Sequence, residues 1–434
     1  MTIKPLILAV SLLVMGNIAY ARNDLPTEAS ALLIDWNKQV LATAEVEDKF
    51  LTLKGLRTAA MLHIAVHDAL NAIKPRFSAY HYQGNWPEAD PISAAAQAAF
   101  TVSVSQYPDQ QAQFTTLLHH WLPSDEDKPG RQQGLELGKA SAAAILDART
   151  DDGWDGEADY TWHPMTPGVY AEFAEHSDTP EGFVFGSGWA VAKPFMLPKP
   201  DQFRAPPPPV INSPAYTEAF KEVKEWGRFE SSSRTPDQTH LALWWKDFAE
   251  NSHNRLARHL VAKEQTDLWS AARLFALLNM SIYDAYINVF DNKFFYNHWR
   301  PYTAIRWAAN DGNADTEADT SWNNTHQHTY AFPSYPSAHG TACAAAMSAL
   351  AQTFGDDYAF TMTTEQVDAA GPFSEKITMD PPQRPFARFS DAAVECALSR
   401  VYLGIHFRYD SLAGTELGMQ IGKYASAHFL QPYK

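Results

Sequence analysis

The sequence predicts a mainly α-helical protein arranged as two bundles, and three observations lead there. Apolar residues return at helical spacing along most of the chain, and strand-like alternation is scarce. An apolar helix bearing an Asp-Ala pair also occurs once in each half, as Val66-His67-Asp68-Ala69 and as Ile282-Tyr283-Asp284-Ala285.

Taken in order, the chain opens with Lys4, an apolar run from Leu6 to Met15, and Ala19-Tyr20-Ala21. A positive start, a short apolar stretch and small residues at the cleavage-specifying positions predict an export signal over 1–21. The run is shorter than the ~20 apolar residues that a membrane span needs. From Thr27 an amphipathic segment turns around Trp36, and Leu56 to Ile73 sets Leu62, Ala65, Val66, Ala69 and Leu70 on one helical face. Helices follow over Ser93 to Ser105, Gln110 to Trp121 and Gly134 to Arg149, so that 22–150 forms an N-terminal helical half. Periodicity vanishes over 151–212, which is rich in Pro, Gly and Trp and ends in Pro206-Pro207-Pro208-Pro209. A stretch this long without elements is unusual in a compact domain. An ordered crossover pinned by Trp154, Trp162, Phe183, Phe185 and Trp189 is expected. Ser213-Pro214 and Thr235-Pro236-Asp237-Gln238 then restart helices, as an N-cap with Pro at the first helical position and as a capping box. A long helix is expected from about Leu268 to Val289, within a C-terminal helical bundle over 213–434.

The 434 residues hold 34 Lys and Arg against 50 Asp and Glu, a net charge of −16. Such an acidic balance weighs against a binder that tracks nucleic-acid phosphates. Charged residues are only 19% against 45% hydrophobic, which excludes a chain that is disordered throughout. Cys343 and Cys396 are too few for a disulfide scaffold or a cysteine-built zinc or iron–sulfur site. A soluble, exported, well-packed protein is expected.

Three segments of the last third gather cations and imidazoles. They are Lys293 with Arg300-Pro301, Pro333-Ser334-Tyr335-Pro336-Ser337-Ala338-His339, and Ser399-Arg400 with His406 and Asp410. Singly, each reads as surface charge, a helix cap or an i,i+4 pair. Together, in a mostly apolar region, they imply a buried polar site, and no excess of local carboxylate neutralises it. A tetrahedral oxyanion fits. Arg300 and Arg400 offer planar forks, Lys293 adds a compact charge, and Ser337 adds a hydroxyl. The amides of Ala338 and His339 open a helix whose positive end favours anions. Two imidazoles, His339 and His406, then stand ready for coordination or attack and for proton exchange. Asp410 is placed to hold the His406 ring by its second nitrogen.

These segments resemble the three signatures shared by the vanadium-dependent haloperoxidases and the type 2 phosphatidic acid phosphatases, K-x6-R-P, P-S-G-H and S-R-x5-H-x3-D. They match residue for residue except that Ala338 stands where the family has Gly. A weaker likeness to exported bacterial haloperoxidase-like proteins runs through the Trp36 helix, Arg57 to Asn71 and the Pro-rich crossover. The resemblance implies two helical bundles with the anion site in the C-terminal one. It implies vanadate as cofactor, with phosphate able to compete. Lys293, Arg300, Ser337, His339 and Arg400 would surround its oxygens, with the Ala338 amide in the role of the glycine amide. His406 would be the axial vanadium ligand and His339 the acid–base group. The methyl of Ala338 is expected to narrow the pocket without removing its N–H.

The three motifs serve two reactions. In a haloperoxidase, hydrogen peroxide and halide react at the His-ligated vanadate and an organic acceptor takes the halogen. In a soluble exported acid phosphatase, His406 forms a phosphohistidine. The extra helical half and the lack of membrane spans favour the haloperoxidase, with iodide or bromide as the halide. Phe290, Phe332, His298 and Trp299 are the candidate halide-pocket residues. His63 and His67 have a metal-capable i,i+4 spacing, but no third ligand follows, so buried, hydrogen-bonded helix histidines are expected. Cys343 lies one turn after His339 and Cys396 one turn before Arg400. A disulfide and two separate buried thiols are both open.

Overall fold

The computed structural model describes residues 27–433 apart from 124–127, 172–175, 177–178 and 181, so the expected export signal lies outside the described residues. The fold is mainly helical, as the apolar periodicity requires. The N-terminal half contains α1 (Ala31–Asp48), α2 (Lys54–Ile73), α3 (Pro91–Gln106), α4 (Gln111–Trp121) and α5 (Arg131–Ala148). After the crossover come α6 (Pro214–Trp226), α7 (Pro236–Trp244), α8 (Ala249–Lys263), α9 (Leu268–Tyr296), α10 (Pro301–Trp307), α11 (Ala338–Phe354), α12 (Phe389–Tyr402) and α13 (Arg408–His428). The predicted caps form: the Ser213 hydroxyl accepts from the Tyr216 amide at 3.2 Å, and Thr235 and Gln238 close a capping box. No described helix is long and apolar enough to cross a membrane.

Four short strands accompany the helices among the described residues. β1 (Phe360–Thr363) pairs with β4 (Gln383–Phe386), and β2 (Gln366–Asp368) with β3 (Lys376–Thr378), both antiparallel. With three or four residues each, they are too short for their alternation to stand out in the sequence.

Helix α9 organises the molecule. It runs 29 residues, about 43 Å at 1.5 Å per residue, and packs along both α2 and α11. Leu62, Ile64 and Val66 of α2, Leu274, Phe275 and Leu278 of α9, and Met347 and Leu350 of α11 belong to one hydrophobic core, which therefore runs unbroken through both halves.

The paired Asp-Ala signal marks a structural repeat. Asp68 on α2 accepts the successive amides of Tyr80, His81 and Tyr82 at 2.7–2.8 Å. Asp284 on α9 accepts those of Phe195, Met196 and Leu197 at 2.6–2.9 Å. In each half a buried carboxylate thus pins an extended segment across an apolar helix. The next helices repeat as well. Gly134 and Gly138 of α5 lie against the backbone of α3 at Asp90, Ala94 and Ala98, where an added Cβ would come within 2.5–2.6 Å of carbonyl oxygens. Gly414 and Gly418 of α13 lie in the same way on Ser337, Thr341 and Ala345 of α11, with 2.3–2.5 Å to the carbonyl oxygens. The amide of Asp90 donates to the Gly130 carbonyl just as that of Ser337 donates to the Asp410 carbonyl.

The crossover is ordered by polar anchors more than by its aromatics. Arg57 and Arg149 both reach the Asp152 carboxylate at 2.7 Å, and Arg149 also donates to the carbonyls of Lys193 and Pro194. Asn288 and Asn292 of α9 take the Phe203 carbonyl at 2.9 Å. Trp154, Trp162, Phe185 and Trp189, expected in the core, are only half-buried, and Phe183 is 42% exposed. Phe183, Phe185 and Trp189 face a cavity instead.

Replacing Asp284 by Ala strands three buried amides, each costing about 1–3 kcal/mol when unsatisfied. We expect Asp284→Ala to lower unfolding stability by roughly 3 kcal/mol or more in urea titration, whereas exposed Glu416→Ala stays within about 0.5 kcal/mol of the parent.

Candidate active site

The site forms where the C-terminal end of α9, the start of α11, the end of α12 and the start of α13 converge. Lys293 sits in the last turn of α9 and is fully buried. Its Nζ donates to the carbonyls of Pro333, Ser334 and Pro336 at 3.0, 2.7 and 2.6 Å. All three protons are thereby used on the loop before Ser337. Lys293 contributes charge and holds the loop, rather than offering a free donor to an oxyanion.

Ser337 caps α11, its hydroxyl accepting from the Gly340 amide at 3.2 Å, so the amides of Ala338 and His339 open the helix without intrahelical acceptors. The matched position in the N-terminal half is Asp90-Pro91. There the carboxylate occupies the helix start, accepting from Ser93, and Pro91 has no amide proton to give. The same architecture thus leaves the helix start open in one half and fills it in the other.

Arg300, also fully buried, donates from Nε to the Phe332 carbonyl at 2.9 Å and from Nη1 to the Ile405 carbonyl at 3.1 Å. Its Nη1 lies 3.3 Å from Nε2 of His406, and its buried Nη2 has no partner among the described residues. Arg400 donates to the Trp245 carbonyl at 2.6 Å and to Ser399 at 3.0 Å. Burial pulls both guanidinium groups down to about 10, which leaves them charged at neutral pH. Among the side chains of the three signatures only Asp410 is a carboxylate, and it pairs with neither arginine.

Asp410 serves the imidazole instead. Its Oδ2 takes His406 Nδ1 at 2.9 Å, the Phe407 amide at 3.1 Å and the Ser334 hydroxyl, whereas Oδ1 is buried without a partner among the described residues. No continuous helix joins the two residues. His406 precedes α13, and Asp410 reaches back from its first turn. The arrangement sets the proton of His406 on Nδ1 and its lone pair on Nε2. Burial, then Arg300 and Lys293, drive the His406 pKa well below the usual imidazole range, so the ring is neutral. His339 is likewise held well below that range by burial and Arg400. Its ring also hydrogen-bonds the Trp245 backbone, and its Nε2 has no partner among the described residues.

His339, Ala338, Arg400 and His406 line a cavity of about 520 Å³. Phe290 and Phe332 line it too, 5.2 Å apart, and the Phe332 ring stands 4.6 Å from Arg300 and 5.2 Å from Lys293. His298 and Trp299, grouped with them by sequence, do not line it. Asn297 ends α9 in a left-handed conformation, φ 46°, and the chain turns away. His298 bonds Tyr409 at 2.8 Å, and Trp299 is fully buried beside Tyr216 and Trp307. The metal-spaced pair His63 and His67 is structural: His63 bonds Asn37 at 3.1 Å, and His67 bonds Asp68 at 3.0 Å and Asn71 at 3.2 Å.

Cys343 and Cys396 form a disulfide that ties α11 to α12, within 4.8 Å of a His339 ring nitrogen. Sequence reasoning left that pairing open and missed the Ser334 hydroxyl and the Trp245 carbonyl. Ser334 lay within a quoted motif; a backbone carbonyl has no sequence signature.

Residues 273–434 match the model of the VCPO second helical-bundle domain. The chain carries that resemblance over 273–434, less than half of its length. It is similar to the vanadium chloroperoxidase of Curvularia inaequalis, 25% identical over 237 residues, with 43% of this chain and 38% of that one covered. The match thus spans well under half the length of that relative. A bacterial vanadium-dependent iodoperoxidase shares the fold at a TM-score of 0.74 and 22% identity, over 95% of this chain and 99% of that one. The holo-type bacterial vanadium-dependent chloroperoxidase follows at 0.64 and 18%, over 85% and 90%. The matched C-terminal stretch contains all three signatures, and the shared fold extends the likeness over the rest of the chain.

Closing a loop of 53 residues by the disulfide stabilises the fold by about 4 kcal/mol in the chain-entropy picture. Thiol labelling of unreduced, denatured protein is expected to find no free thiol, and reduction is expected to release two.

Proposed function

We propose that the chain is a vanadium-dependent haloperoxidase that oxidises iodide or bromide with hydrogen peroxide and passes the halogen to an organic acceptor. One observation carries this reading: two neutral imidazoles share a cavity, His406 locked through Nδ1 by Asp410 and His339 with an unpartnered Nε2. The names of the curated relative and of the two similar structures, all vanadium peroxidases, support it.

The residues present fit vanadate. The orphaned Nη2 of Arg300 and the open first turn of α11 are donors without acceptors, and a tetrahedral oxyanion supplies acceptors. Arg300, Arg400, Ser337 and the amides of Ala338 and His339 would hold its oxygens, and the lone pair of His406 Nε2 would bond the metal. Lys293 would add charge from behind the loop it fixes. Bound vanadate supplies the Lewis acidity that activates peroxide towards halide. The chain's own groups do the rest. Asp410 and Ser334 keep the His406 ring in one tautomer and orientation, and His339 accepts and returns a proton at Nε2. The aromatic walls lower the local dielectric, which strengthens each polar contact beside them. We also place the protein outside the cytoplasm. The signal-like features of 1–21 and the disulfide, which persists in oxidising compartments, support that placement.

Protein purified without phosphate and loaded with vanadate is expected to oxidise iodide and bromide with peroxide, faster than chloride, and to do so only when vanadate is present. Absence of turnover at confirmed vanadate occupancy would replace this reading by the phosphatase one, in which His406 carries the phosphoryl group. His406→Ala is expected to reduce halide oxidation to background while its circular dichroism matches the parent. Asp410→Asn is expected to weaken vanadate affinity about 10–100-fold, as loss of an orienting partner does at other metal sites; equilibrium dialysis measures it.

A further inference from the structure

The cavity is far larger than a peroxide and a halide require. At about 520 Å³ it lies within the ~300–1,000 Å³ range of pockets that enclose organic ligands. Its walls are mostly aromatic, with Phe185, Trp189 and Phe290 stacked edge-on or tilted at 5.0–6.3 Å. Its rim is apolar and open. Leu51, Phe183 and Phe373 line the cavity and are 44%, 42% and 45% exposed. Two of the lining residues, Phe50 and Phe373, have left-handed backbones, φ 58° and 63°, which bulky residues rarely adopt. Such conformations concentrate at ligand clamps and active sites.

One group in this wall does not belong to the anion cradle. Glu250, in the first turn of α8, lines the cavity and is 5% exposed. It forms no ion pair among the described residues. The Tyr286 hydroxyl donates to its Oε2 at 2.9 Å, and Tyr286 lines the same cavity. Burial raises the Glu250 pKa to about 7. A carboxyl offers about four acceptor positions, of which its own backbone amide and the Tyr286 hydroxyl fill two, so acceptor capacity remains in this apolar wall.

We infer that the cavity is a binding site for the organic acceptor, that the acceptor is a neutral hydroxylated arene, and that its hydroxyl donates a hydrogen bond to Glu250 while the aromatic walls enclose its ring. The inference rests on the haloperoxidase reading and names its substrate class. Glu250 is a specificity-determining residue here, separate from the cations that hold the oxyanion. In the reaction this placement serves, a ring carbon bonds to the halogen of hypohalous acid, the product of peroxide and halide. The ring loses its hydrogen as a proton, and the hydroxide released from the halogen leaves with that proton as water. A ring held beside His339 and His406 meets the oxidised halogen before it diffuses away.

Equilibrium dialysis of 2-naphthol and of its methyl ether against vanadate-loaded full-length protein, without peroxide or halide, tests the assignment. A hydrogen bond to a buried carboxyl is worth about tenfold or more in affinity. The parent is expected to prefer naphthol by at least that factor, and Glu250→Met is expected to lose the preference while keeping its affinity for the ether. Equal dissociation constants for both probes in the parent, or an unchanged preference in E250M, would overturn the assignment. If E250M does not fold, the comparison of the two probes on the parent decides alone. Halide oxidation is measured in a separate arm. Its absence would overturn the peroxidase reading and the acceptor role with it, whereas equal probe affinities with turnover intact would overturn the site assignment only.

Discussion

Three cations buried in an apolar bundle, with backbone carbonyls as partners in place of carboxylates, are the constraint around which the C-terminal half is built. An unpaired buried charge is costly, and each is satisfied only because a particular loop or helix end is held against it. Lys293 collects three carbonyls from the loop that leads to Ser337, Arg300 collects those of Phe332 and Ile405, and Arg400 that of Trp245. Carbonyl oxygens carry partial charge only, so the cluster keeps its positive potential. The one carboxylate of the signatures, Asp410, is spent on an imidazole, a serine and an amide. An oxyanion would complete the cluster.

The structural repeat explains why this happens once. Both halves carry an Asp that pins an extended segment, a helix start beneath a glycine-lined neighbour, and the same backbone bond into that start. At the decisive turn one half has Asp90-Pro91 and the other Ser337-Ala338. Carboxylate and proline fill and silence a helix N-terminus; hydroxyl and amide leave it open to an anion. Two residue positions separate a filled helix start from an open one on the same architecture.

Much of this was legible in the sequence, and for identifiable reasons. Long apolar helices such as α2 and α9 declare themselves by periodicity, and Ser213-Pro214 and Thr235 by capping chemistry. The signatures were legible because the site needs particular side chains at fixed spacing along two helices and a loop. What escaped depends on backbone direction or on distant pairing. The left-handed turn at Asn297 carries His298 and Trp299 away from the cavity, although Phe290 and Phe332 flank them in sequence. The Trp245 carbonyl and Glu250 reach the site from segments with no motif of their own. The crossover aromatics read as core because large rings are usually buried, whereas here several of them wall a cavity. The short strands over 360–386 gain their stability from pairing across the chain, which alternation over three or four residues does not announce.

The central claim is that the buried cations and the open turn of α11 form one oxyanion site. Calorimetric titration of phosphate-free protein with orthovanadate tests it most directly, followed by the same titration in excess phosphate. The account predicts one site per chain that phosphate blocks, with Arg400→Ala losing most of the affinity. No binding heat, or binding that neither phosphate nor the Arg400 substitution disturbs, would contradict it.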